Sequence, residues 1–432
     1  TSQGGYEAMH AVLRAPEPPT AVFVCNDLMA MGALCAAHER DLRVPEALSI
    51  VGFDDIELTA FTSPPLTTVA QPKQRIGALA VDMLLERIDG KRQDARKVML
   101  QPELRVRAST AHAPRRCGMS PTHTPRIAVV GSLNMDLVLQ VQHAPGPGET
   151  VLADALHLVP GGKGGNQAVA CARQGAQVAL FGRVGDDGYG HTLRAGLDAD
   201  GIDHSGVQTD TETTTGVAAI TVEATGQNRI VVVPGANGRF VLDAAALGPA
   251  LQGAGGLVLQ FETPLPQVLA AAEMAHAAGC PVVLNPSPIQ PLPEALWPRV
   301  HTLVVNEVEA AALAGQSVTT PADAAQAAQA LRAKGPAQVV VTLGAAGAVA
   351  ADAAGNRYHP GLVVKAVDTT AAGDTFLGAL AVALTRGEPL DAAVREGIRA
   401  SALCVTHPGA QPSIPTRAAV AHSPQPPAWS PL

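Results

Sequence analysis

Short apolar runs alternate with segments of helical periodicity along most of the chain, which is the pattern of parallel α/β sheets. In the first 110 residues, strands are predicted at Ala21–Cys25 and Leu48–Phe53, with one or two more at Lys97–Val106, and helices at Leu28–His38 and Ile76–Ile88. Asn26 or Asp27 is suited to cap the first helix, and the second has amphipathic spacing. This segment is predicted to form a small parallel α/β sheet.

The same alternation continues on a larger scale over residues 126–418. Strands are predicted at Arg126–Val130, Val178–Val184, Gly256–Gln260, Val282–Asn285, Thr302–Val305 and Gln338–Thr342. Helices are predicted between them, for example at Asn166–Gln174, Pro266–Ala278 and Ala322–Lys334. The length of this segment suits one large α/β domain.

Two segments within the large domain depart from this pattern. Leu137–Val159 and Gly216–Val233 alternate apolar and polar positions, with no helix between their strands. Alternation of this kind is typical of antiparallel strands that face solvent on one side. We therefore predict a small antiparallel sheet that projects from the α/β core.

A polar stretch separates the two predicted domains. Residues 111–125 include Pro114, Pro121 and Pro125 and lack apolar periodicity, so they are predicted to be a linker. Residues 419–432 are predicted to be a tail, and the proline-rich part from residue 423 onward is expected to be frayed. The expected domains are therefore 1–110 and 126–418.

Composition excludes several classes of function. The chain has 432 residues, is 47% hydrophobic and 16% charged, and carries a formal net charge of −8. That charge, with only 3% aromatic residues, argues against nucleic-acid or anionic-membrane partners. The sequence contains no apolar run long enough to span a bilayer, no signal-peptide pattern, and no C-x-x-C pair among its six cysteines. A soluble, cytoplasmic protein is expected.

The strongest chemical motif is Asp-Thr-Thr-Ala-Ala-Gly-Asp-Thr-Phe at residues 368–376. Small residues precede Asp374, and a helical pattern follows it, so backbone amides at the helix start could bind an anion. A carboxylate beside such an anion hole could accept the proton of a substrate hydroxyl, as phosphoryl transfer to an alcohol requires. The alternative is an aspartate that caps the helix after a turn, and spacing alone does not decide between them.

The second motif is Gly-Gly-Lys-Gly-Gly-Asn-Gln-Ala at residues 161–168, which lacks the spacing of a P-loop. Its glycines expose backbone, while Lys163 and Asn166 supply polar side chains, a combination suited to a polyhydroxylated ligand. Alone, the motif is equally compatible with a flexible turn before a helix, and Lys163 with an exposed turn lysine.

The third motif is Gly-Ser-Leu-Asn-Met-Asp at residues 131–136, which follows the first predicted strand of the large domain. Ligands of α/β folds bind at the carboxyl ends of sheet strands, so Asn134 and Asp136 could contact sugar hydroxyls there. A capped turn is the commoner explanation for such a motif on its own.

Residues 126–418 resemble the PfkB carbohydrate-kinase family, and the resemblance extends over the whole segment. It rests on GSLNMD at 131–136, GGKGGNQA at 161–168, QFETP at 260–264, NPSP at 285–288, NEVE at 306–309, TLGAAG at 342–347, DTTAAGDTF at 368–376 and THPGAQPS at 406–413. The lysine and asparagine of the second motif resemble the ribokinase-like members of the family. The resemblance implies a ribokinase-like three-layer α/β sandwich with a small antiparallel β lid, which would also form a homodimer contact.

The activity implied by the resemblance is ATP-dependent phosphorylation of D-ribose at O5, giving D-ribose 5-phosphate and ADP, in ribose catabolism. Asp374 would be the catalytic base, and the amides of Ala371, Ala372 and Gly373 would form the anion hole. The implied sugar-binding residues are Asn134, Met135, Asp136, Gly162, Lys163, Gly164, Gly165, Asn166, Glu262 and Asp374. The implied ATP-binding residues are Asn306, Thr342, Leu343, Gly344, Ala345, Ala346, Gly347, Gly373 and Asp374. A related pentose such as deoxyribose remains an alternative substrate.

The resemblance also implies two metal cofactors. Glu309, at the end of the family's N-x-x-E motif, would organise Mg²⁺ through water. The implied K⁺ site consists mainly of backbone carbonyls in two segments, with Asp368, Thr370, Cys404, His407, Gly409 and Ser413 at the matching positions. Backbone ligands tolerate different side chains, so His407 is compatible with this site. Position 398 is Ile where related kinases often have a polar residue near adenine, and no role is assigned to it.

Residues 1–110 resemble the C-terminal part of a LacI/GalR-type sugar-responsive repressor. The resemblance rests on AVFVCNDLMA at 21–30, VPEALSIVGFDD at 44–55 and PPLTTV at 64–69. It implies a partial periplasmic-binding-protein-like α/β segment, with Asp27 at the effector-sugar pocket and apolar surface left exposed. No helix-turn-helix motif occurs in the sequence, so DNA binding is not expected.

Two further readings of the whole chain remain open beside the sugar kinase. One is a sugar-responsive transcription regulator to which a kinase segment is fused. The other is a sugar-binding module at residues 1–110 that regulates the kinase. The missing DNA-binding motif argues against the first, and sugar titration of residues 1–115 would test the second.

Overall fold

The computed structural model describes residues 1–14, 19–40, 42–45, 48–90, 97–110, 124–223 and 228–432. The chain divides into two compact units, Thr1–Arg116 and Cys117–Leu432. Residues 111–123, most of the predicted linker, lie outside the described part of the chain. The linker at 111–125 and the domain limits beside it therefore stay predictions.

The N-terminal unit contains one four-stranded sheet with strand order β1-β2-β3-β4. Its elements are helices α1 (Ser2–Val12), α2 (Asp27–His38) and α3 (Lys73–Ile88) and strands β1 (Ala21–Phe23), β2 (Ser49–Asp54), β3 (Thr67–Ala70) and β4 (Glu103–Arg105). The first three strands are parallel, as predicted, whereas β4 is antiparallel to β3. The predicted α2 and its Asn26 cap are confirmed, because the Asn26 side chain accepts a hydrogen bond from the Met29 amide.

The core of this unit is small, and one of its helices does not contribute to it. The buried cluster includes Met9 from α1, Leu34 from α2 and Ile50 from β2. By contrast, α3 has no buried residue, although its sequence is amphipathic. The exposed apolar surface that the resemblance implied is therefore present, and it includes Ile88 on this helix.

The second unit contains two sheets and nine described α-helices. The helices are α4 (Lys163–Arg173), α5 (Gly188–Ala199), α6 (Ala244–Leu251), α7 (Leu265–Ala277), α8 (Glu307–Ala314), α9 (Pro321–Arg332), α10 (Ala372–Thr385), α11 (Leu390–Cys404) and α12 (Arg417–His422). The strands are β5 (Arg126–Val130), β6 (Asn134–Val141), β7 (Ala155–Gly161), β8 (Gln177–Gly185), β9 (Asp203–Asp210), β10 (Gly216–Glu223), β11 (Asn228–Val233), β12 (Gly256–Leu259), β13 (Val282–Leu284), β14 (Thr302–Asn306), β15 (Gln338–Thr342), β16 (Gly347–Asp352), β17 (Gly355–Pro360) and β18 (Ser430–Pro431).

The large sheet has ten strands in the order β18-β17-β16-β15-β14-β13-β12-β5-β8-β9. Strands from β9 to β15 in this order are parallel, and β16, β17 and β18 add to the edge in antiparallel orientation. One buried cluster contains residues of α7 and α9, and a second contains residues of α4, α10 and α11. Helices on both faces of a parallel sheet give the predicted three-layer α/β sandwich.

The small sheet has the order β11-β10-β6-β7. Its outer pairs, β10–β11 and β6–β7, are antiparallel, but the central pair β6–β10 is parallel. The prediction of a purely antiparallel sheet is wrong at this pair. Only neighbouring strands joined by a short loop are forced to be antiparallel, and β6 and β10 are separated by α4, β8, α5 and β9.

The C-terminal residues differ from the frayed tail that was predicted. Ser430 and Pro431 pair with Tyr358 and Arg357 of β17, so the end of the chain adds a short edge strand. Within the described ranges, no helix is long and apolar enough to cross a membrane.

Candidate active site

The start of α10 is the centre of the site. Ala371 precedes the helix in a left-handed conformation (φ 59°), which turns the chain sharply before Ala372. The Ala372 amide donates to the Thr369 carbonyl at 3.3 Å, whereas the amides of Ala371 and Gly373 make no hydrogen bond within the described residues. Unpaired amides at a helix start attract anions, as the sequence motif predicted.

The carboxylate of Asp374 lies in the first turn of α10 and is buried. Two consecutive residues of α4 donate to it: Gln167 Nε2 to Oδ1 at 2.8 Å, and Asn166 Nδ2 to Oδ2 at 3.0 Å. The glycine-rich motif and the Asp374 motif, more than 200 residues apart, therefore meet. The sequence did not predict the contact through Gln167, because Asn166 alone was assigned a role.

Glu262 connects three segments at the same edge of the large sheet. Its Oε2 accepts from Ser132 Oγ at 2.5 Å and from the Lys163 amide at 3.1 Å. For the Lys163 side chain, burial opposes the charged form, but the carboxylates of Asp374, Glu262 and Glu309 outweigh it and raise its pKa above the ordinary value. The positive charge of Lys163 is therefore stabilised by carboxylates around it.

Asn134 and Asp136 lie on β6, where the small sheet meets the large domain, and both are buried. Asn134 Oδ1 accepts from Asn237 Nδ2 at 2.7 Å, and Asn237 also holds the Leu133 amide, a role that the sequence did not reveal. Asp136 pairs with β7 and β10 through its backbone, but its carboxylate makes no hydrogen bond within the described residues. Burial, with the nearby charges of Glu262 and Asp374, raises its pKa to about 7.

Four other predicted sugar-binding residues shape the site without lining a described cavity. The Met135 side chain is buried in the core on the α4 face of the sheet. Gly162 has φ 83°, which favours glycine. A Cβ atom at Gly164 would lie 2.5 Å from the Gly131 carbonyl carbon, and one at Gly165 would lie 3.1 Å from Gln411 Nε2. These glycines allow α4 to pack closely against the loop after β5.

A polar cavity of about 260 Å³ opens beside Asp374. Its wall includes Lys163, Asn306, Glu309, Thr342, Ala371, Ala372, Gly373 and Asp374, together with Asn285 and Ser287, which the sequence analysis had not assigned. Asn134, Asp136, Asn166 and Glu262 do not line it. Asn166 on α4 donates to Asp374, and the charge of Asp374 acts on Asp136 of β6, so at least these two predicted sugar ligands lie near the Asp374 carboxylate in the cavity wall.

A second cavity, of about 350 Å³, adjoins the first and is mainly apolar. The two share Thr342, Thr369, Ala372 and Gly373 in their walls. Of the other predicted ATP-binding residues, Gly344, Ala345 and Gly347 line the second cavity, whereas Leu343 and Ala346 do not. Its remaining wall was not predicted and consists of Gly361, Leu362, Val363, Val364, Ala366, Phe376, Ile398, Ser401, Ala402 and Val405.

Asn306 and Glu309 form a capping box at the start of α8. Glu309 Oε2 accepts from the Asn306 amide at 3.0 Å and from Asn285 Nδ2 at 3.4 Å, while its other carboxylate oxygen makes no hydrogen bond within the described residues. Glu309 lines the polar cavity, so this free oxygen fits a water that is bound to a divalent cation.

The segments of the predicted K⁺ site also meet. Asp368 Oδ1 accepts from the Thr370 amide at 2.8 Å, and Oδ2 accepts from the Gly409 amide at 2.9 Å. Burial opposes ionisation of Asp368, but these hydrogen bonds outweigh it and hold its pKa below the ordinary value. Cys404 Sγ lies 3.1 Å from Ser413 Oγ, and burial raises the pKa of this thiol.

The His407 side chain is exposed, and its Nδ1 lies 3.3 Å from the Leu403 carbonyl near the end of α11. Only its backbone belongs to the loop that meets Asp368. Within the described ranges, no group of three or more His, Cys, Asp or Glu side chains could hold a metal ion. Any monovalent cation here would depend on carbonyl oxygens, and the anionic Asp368 beside them fits a positive charge.

A buried carboxylate beside free helix-start amides, in the wall of a polar cavity that adjoins an apolar one, is the arrangement expected of an enzyme that transfers a phosphoryl group to an alcohol. Residues 124–417 match the family described as pfkB family carbohydrate kinase, and the chain belongs to this family. It is therefore a carbohydrate kinase. Residues 1–110 match a second family, described as a periplasmic binding protein-like domain.

Individual relatives agree with this assignment. The chain is 40% identical over 292 residues to a ribokinase of Haemophilus influenzae, covering 67% of this chain and 95% of the relative. It is 35% identical over 295 residues to a deoxyribokinase of Salmonella typhimurium, covering 67% and 95%. Among solved structures, Arabidopsis thaliana ribokinase complexed with ribose and ATP aligns with a TM-score of 0.65 and 32% identity, covering 69% of this chain and 98% of the other.

Proposed function

We propose that this carbohydrate kinase transfers the γ-phosphoryl group of ATP to O5 of D-ribose, giving D-ribose 5-phosphate and ADP. The observation that carries the proposal is the position of Asp374, which joins a cluster of buried polar side chains on β6 and α4 to the polar cavity. The 40% identity to a ribokinase, against 35% to a deoxyribokinase, favours ribose over deoxyribose.

The sugar would bind among Asn134, Asp136, Asn166 and Glu262, with Lys163 at the boundary to the polar cavity. A sugar presents hydroxyl groups that both donate and accept hydrogen bonds. Asp136 is buried and lacks a donor within the described residues, so it is ready to accept from such hydroxyls. A carboxylate with this free acceptor capacity supports a polyhydroxylated ligand more strongly than an apolar one.

In the reaction, Asp374 would accept the proton of the sugar hydroxyl as its oxygen attacks the γ-phosphorus. The free amides of Ala371 and Gly373 would donate to the transferring phosphoryl group, whose negative charge they stabilise together with Lys163. Because these donors are fixed by the backbone before substrate binds, little reorganisation is needed in the transition state.

The nucleotide would extend from the polar cavity into the apolar one. Asn306 and Thr342 lie beside the phosphate path, and the apolar walls at Val363 and Ile398 suit the faces of an adenine ring. Volume and chemistry agree with this assignment, since a flat heterocycle gains from apolar contact on both faces.

Two cations are part of the proposal. Mg²⁺ would be held through water by Glu309, and it would neutralise charge on the ATP phosphates when bound. K⁺ would be held by carbonyl oxygens of residues 368–370 and 404–413. The chain's own contribution is Asp368, whose hydrogen bonds to Thr370 and Gly409 join these two segments next to the amides of the anion hole.

We also propose a homodimer through the small sheet. Its edge strands β7 and β11 expose Leu156, Leu158, Ile230 and Val231, which would be covered by a second copy. Light scattering coupled to size-exclusion chromatography measures this directly, and a monomer at micromolar concentration would contradict it.

The proposed activity is tested by incubating the full chain with ATP, Mg²⁺ and K⁺ and a panel of sugars that includes D-ribose, 2-deoxy-D-ribose, D-fructose and D-xylose. ADP release gives the rate, and ³¹P–¹H NMR of the product identifies the phosphorylated oxygen. We expect the highest kcat/KM for D-ribose and a phosphate at O5. A higher kcat/KM for deoxyribose or for a hexose would overturn the substrate assignment, and no ADP release with any of them would overturn the activity.

A further inference from the structure

Gln167 and Gln260 form a buried chain of hydrogen bonds that ends on Asp374. Gln260 Nε2 donates to Gln167 Oε1 at 2.6 Å, and Gln167 Nε2 donates to Asp374 Oδ1 at 2.8 Å. Both glutamine side chains are fully buried. Gln167 therefore uses both ends of its amide, and neither end can leave without an unpaired polar group in the interior.

The structure around Gln260 keeps this chain in one arrangement. Gln260 follows β12, and its Oε1 lies against Gly131, the residue after β5. A Cβ atom at Gly131 would lie 2.0 Å from Gln260 Oε1, so only glycine leaves room for the side chain. Gln260 Oε1 has no hydrogen-bond partner within the described residues, so Gln260 is held by its packing against Gly131 and by its donation to Gln167. Gln260 lines neither of the two cavities, so we expect this packing to keep the orientation of Gln167.

Asn166 differs from Gln167 although both donate to the same carboxylate. Asn166 Nδ2 donates to Asp374 Oδ2, but its Oδ1 is buried without a partner within the described residues. An amide with an unsatisfied oxygen loses less by turning toward a hydroxyl-bearing ligand than one bonded at both ends. We therefore expect Asn166 to exchange its hydrogen bond to Asp374 for one to the ligand, whereas Gln167 keeps its hydrogen bond to Asp374.

We propose that Gln167, oriented by Gln260, is a positioning residue that fixes Oδ1 of Asp374 and leaves Oδ2 to accept the proton of the sugar hydroxyl. This inference rests on the proposed role of Asp374 as base. When sugar binds, Asn166 turns from Oδ2 to the sugar, and Oδ2 becomes free. The proton then moves from the sugar hydroxyl to Oδ2, while Gln167 keeps the carboxylate in line with the attacking oxygen.

The test uses Gln167→Met, Gln260→Met and the double variant in the full chain, with the sugar that the wild type phosphorylates best. Methionine keeps the length of the side chain and removes its hydrogen bonds. We expect kcat of Gln167→Met to fall roughly ten- to a hundredfold, as for a misplaced reactive group, with sugar KM changed less than about threefold. Gln260→Met should have a smaller effect, and this effect should disappear in the Gln167→Met background.

Gln174→Met is the matched control. Gln174 is also buried and follows the end of α4, but its Nε2 donates to the Pro415 carbonyl, away from the site. Its variant should lose stability, measured as Tm, and keep its kcat. The positioning role would be overturned if the two variants lose the same amount of Tm and Gln174→Met also loses as much kcat as Gln167→Met.

A further pair of variants distinguishes this inference from the assignment of Asp374 as the base. In the Asp374→Asn background, Gln167→Met should not lower the residual rate further, because the group it positions is gone. If Asp374→Asn is inactive while Gln167→Met has wild-type kcat, the positioning role is wrong and the base stands. If Asp374→Asn is itself active, the base assignment fails, and the inference fails with it.

Discussion

Each unit of the chain buries an aspartate that the sequence analysis predicted, by resemblance, to contact a sugar, and the two aspartates differ in their partners. In the N-terminal unit, Asp27 Oδ1 accepts from Thr68 Oγ1 at 2.5 Å and Oδ2 from the Ile56 amide at 2.9 Å. In the kinase unit, Asp136 has no hydrogen-bond donor within the described residues. Asp27 holds its own fold together, whereas Asp136 has acceptor capacity left for a ligand.

The two units also differ in what they leave exposed. The kinase unit has helices on both faces of its large sheet and encloses polar side chains such as Gln167 and Gln260. The N-terminal unit exposes Phe61, Leu84 and Ile88 to 79%, 59% and 70%. Both units bury hydrogen-bonded polar groups, but the ten-stranded sheet with helices on both faces leaves less apolar surface uncovered than the four-stranded sheet does.

The largest effect that this comparison predicts is on Asp374→Asn. The substitution is nearly isosteric and removes the proton acceptor, and its amide nitrogen would face one of the two donors, Asn166 or Gln167. Because Asn166 can turn toward the sugar, sugar Kd should change much less than kcat. General-base catalysis contributes roughly 10²–10⁴-fold, and kcat should fall by that factor. Steady-state kinetics gives kcat, and isothermal titration calorimetry gives the sugar Kd.

Asp200→Asn is a suitable control for this variant, because Asp200 pairs with Arg173 on the far end of α4. It should reduce stability slightly and leave kcat unchanged. A residual activity of Asp374→Asn above about a tenth of wild type would show that the base lies elsewhere, since that loss is smaller than base catalysis supplies.

The next effect concerns pH and depends on the unpaired Asp136. Its pKa is about 7 in the folded protein, because burial and the charges of Glu262 and Asp374 disfavour ionisation. A sugar that donates two hydroxyls needs the ionised form, so affinity should rise through pH 7. Sugar Kd should be about tenfold higher at pH 6 than at pH 8, because only about a tenth of Asp136 is ionised one unit below its pKa.

The contribution of Asp136 to folding stability falls as pH rises, whereas sugar affinity rises. A carboxyl whose pKa is raised on folding favours the folded state most when it is protonated, so this contribution is lost as pH rises from about 4 to about 7. Asp136→Asn should therefore remove both the pH dependence of sugar Kd and this loss of stability. A sugar Kd that is constant between pH 6 and pH 8 in the wild type would refute the role of Asp136.

The sequence predicted the sheet strands well because they are buried on both faces. Arg126–Val130 and Gln338–Thr342 were predicted with the observed bounds. The loop after the first strand meets Glu262 through Ser132, and Thr342 at the end of the second lines the polar cavity. Continuous apolar runs bounded by polar residues specify such strands without reference to their neighbours.

Contacts between distant segments could not be predicted in the same way. Nothing in the sequence links Gln167 to Asp374, and a glutamine after an asparagine in a helix has many possible partners. The apolar wall at Val363 and Ile398 was missed because apolar residues that line a cavity are not distinguished by sequence pattern from apolar residues elsewhere. The parallel pair β6–β10 was missed because alternation gives no strand direction.

A smaller effect is predicted for monovalent cations. The segment at Asp368 and the loop at Gly409 are joined by hydrogen bonds beside the anion hole, and a cation held by their carbonyls would stabilise this conformation. The rate at fixed Mg²⁺ and ionic strength should be higher in K⁺ than in Na⁺ or Li⁺, by less than the pH effect. Asp368→Asn should reduce this difference, and equal rates in all three salts would refute the site.

The smallest effect should come from removing the N-terminal unit. All residues of the proposed site lie after residue 126, and Met119 precedes the first strand of the kinase unit by a few residues. A shortened protein that begins at Met119 should therefore be soluble. Its kcat/KM for sugar should stay within about threefold of the full chain, below the tenfold that ~1.4 kcal/mol of lost transition-state stabilisation would produce.

The same experiment can reverse the comparison between the two units. The N-terminal unit exposes apolar residues such as Phe61 and Ile88, and the shortened protein lacks them. Insolubility, or a loss of tenfold or more in kcat/KM, would then make residues 1–110 an integral part of the enzyme. Retained activity with an unchanged Tm of the kinase unit would instead mean that the site is built by residues 124–432 alone.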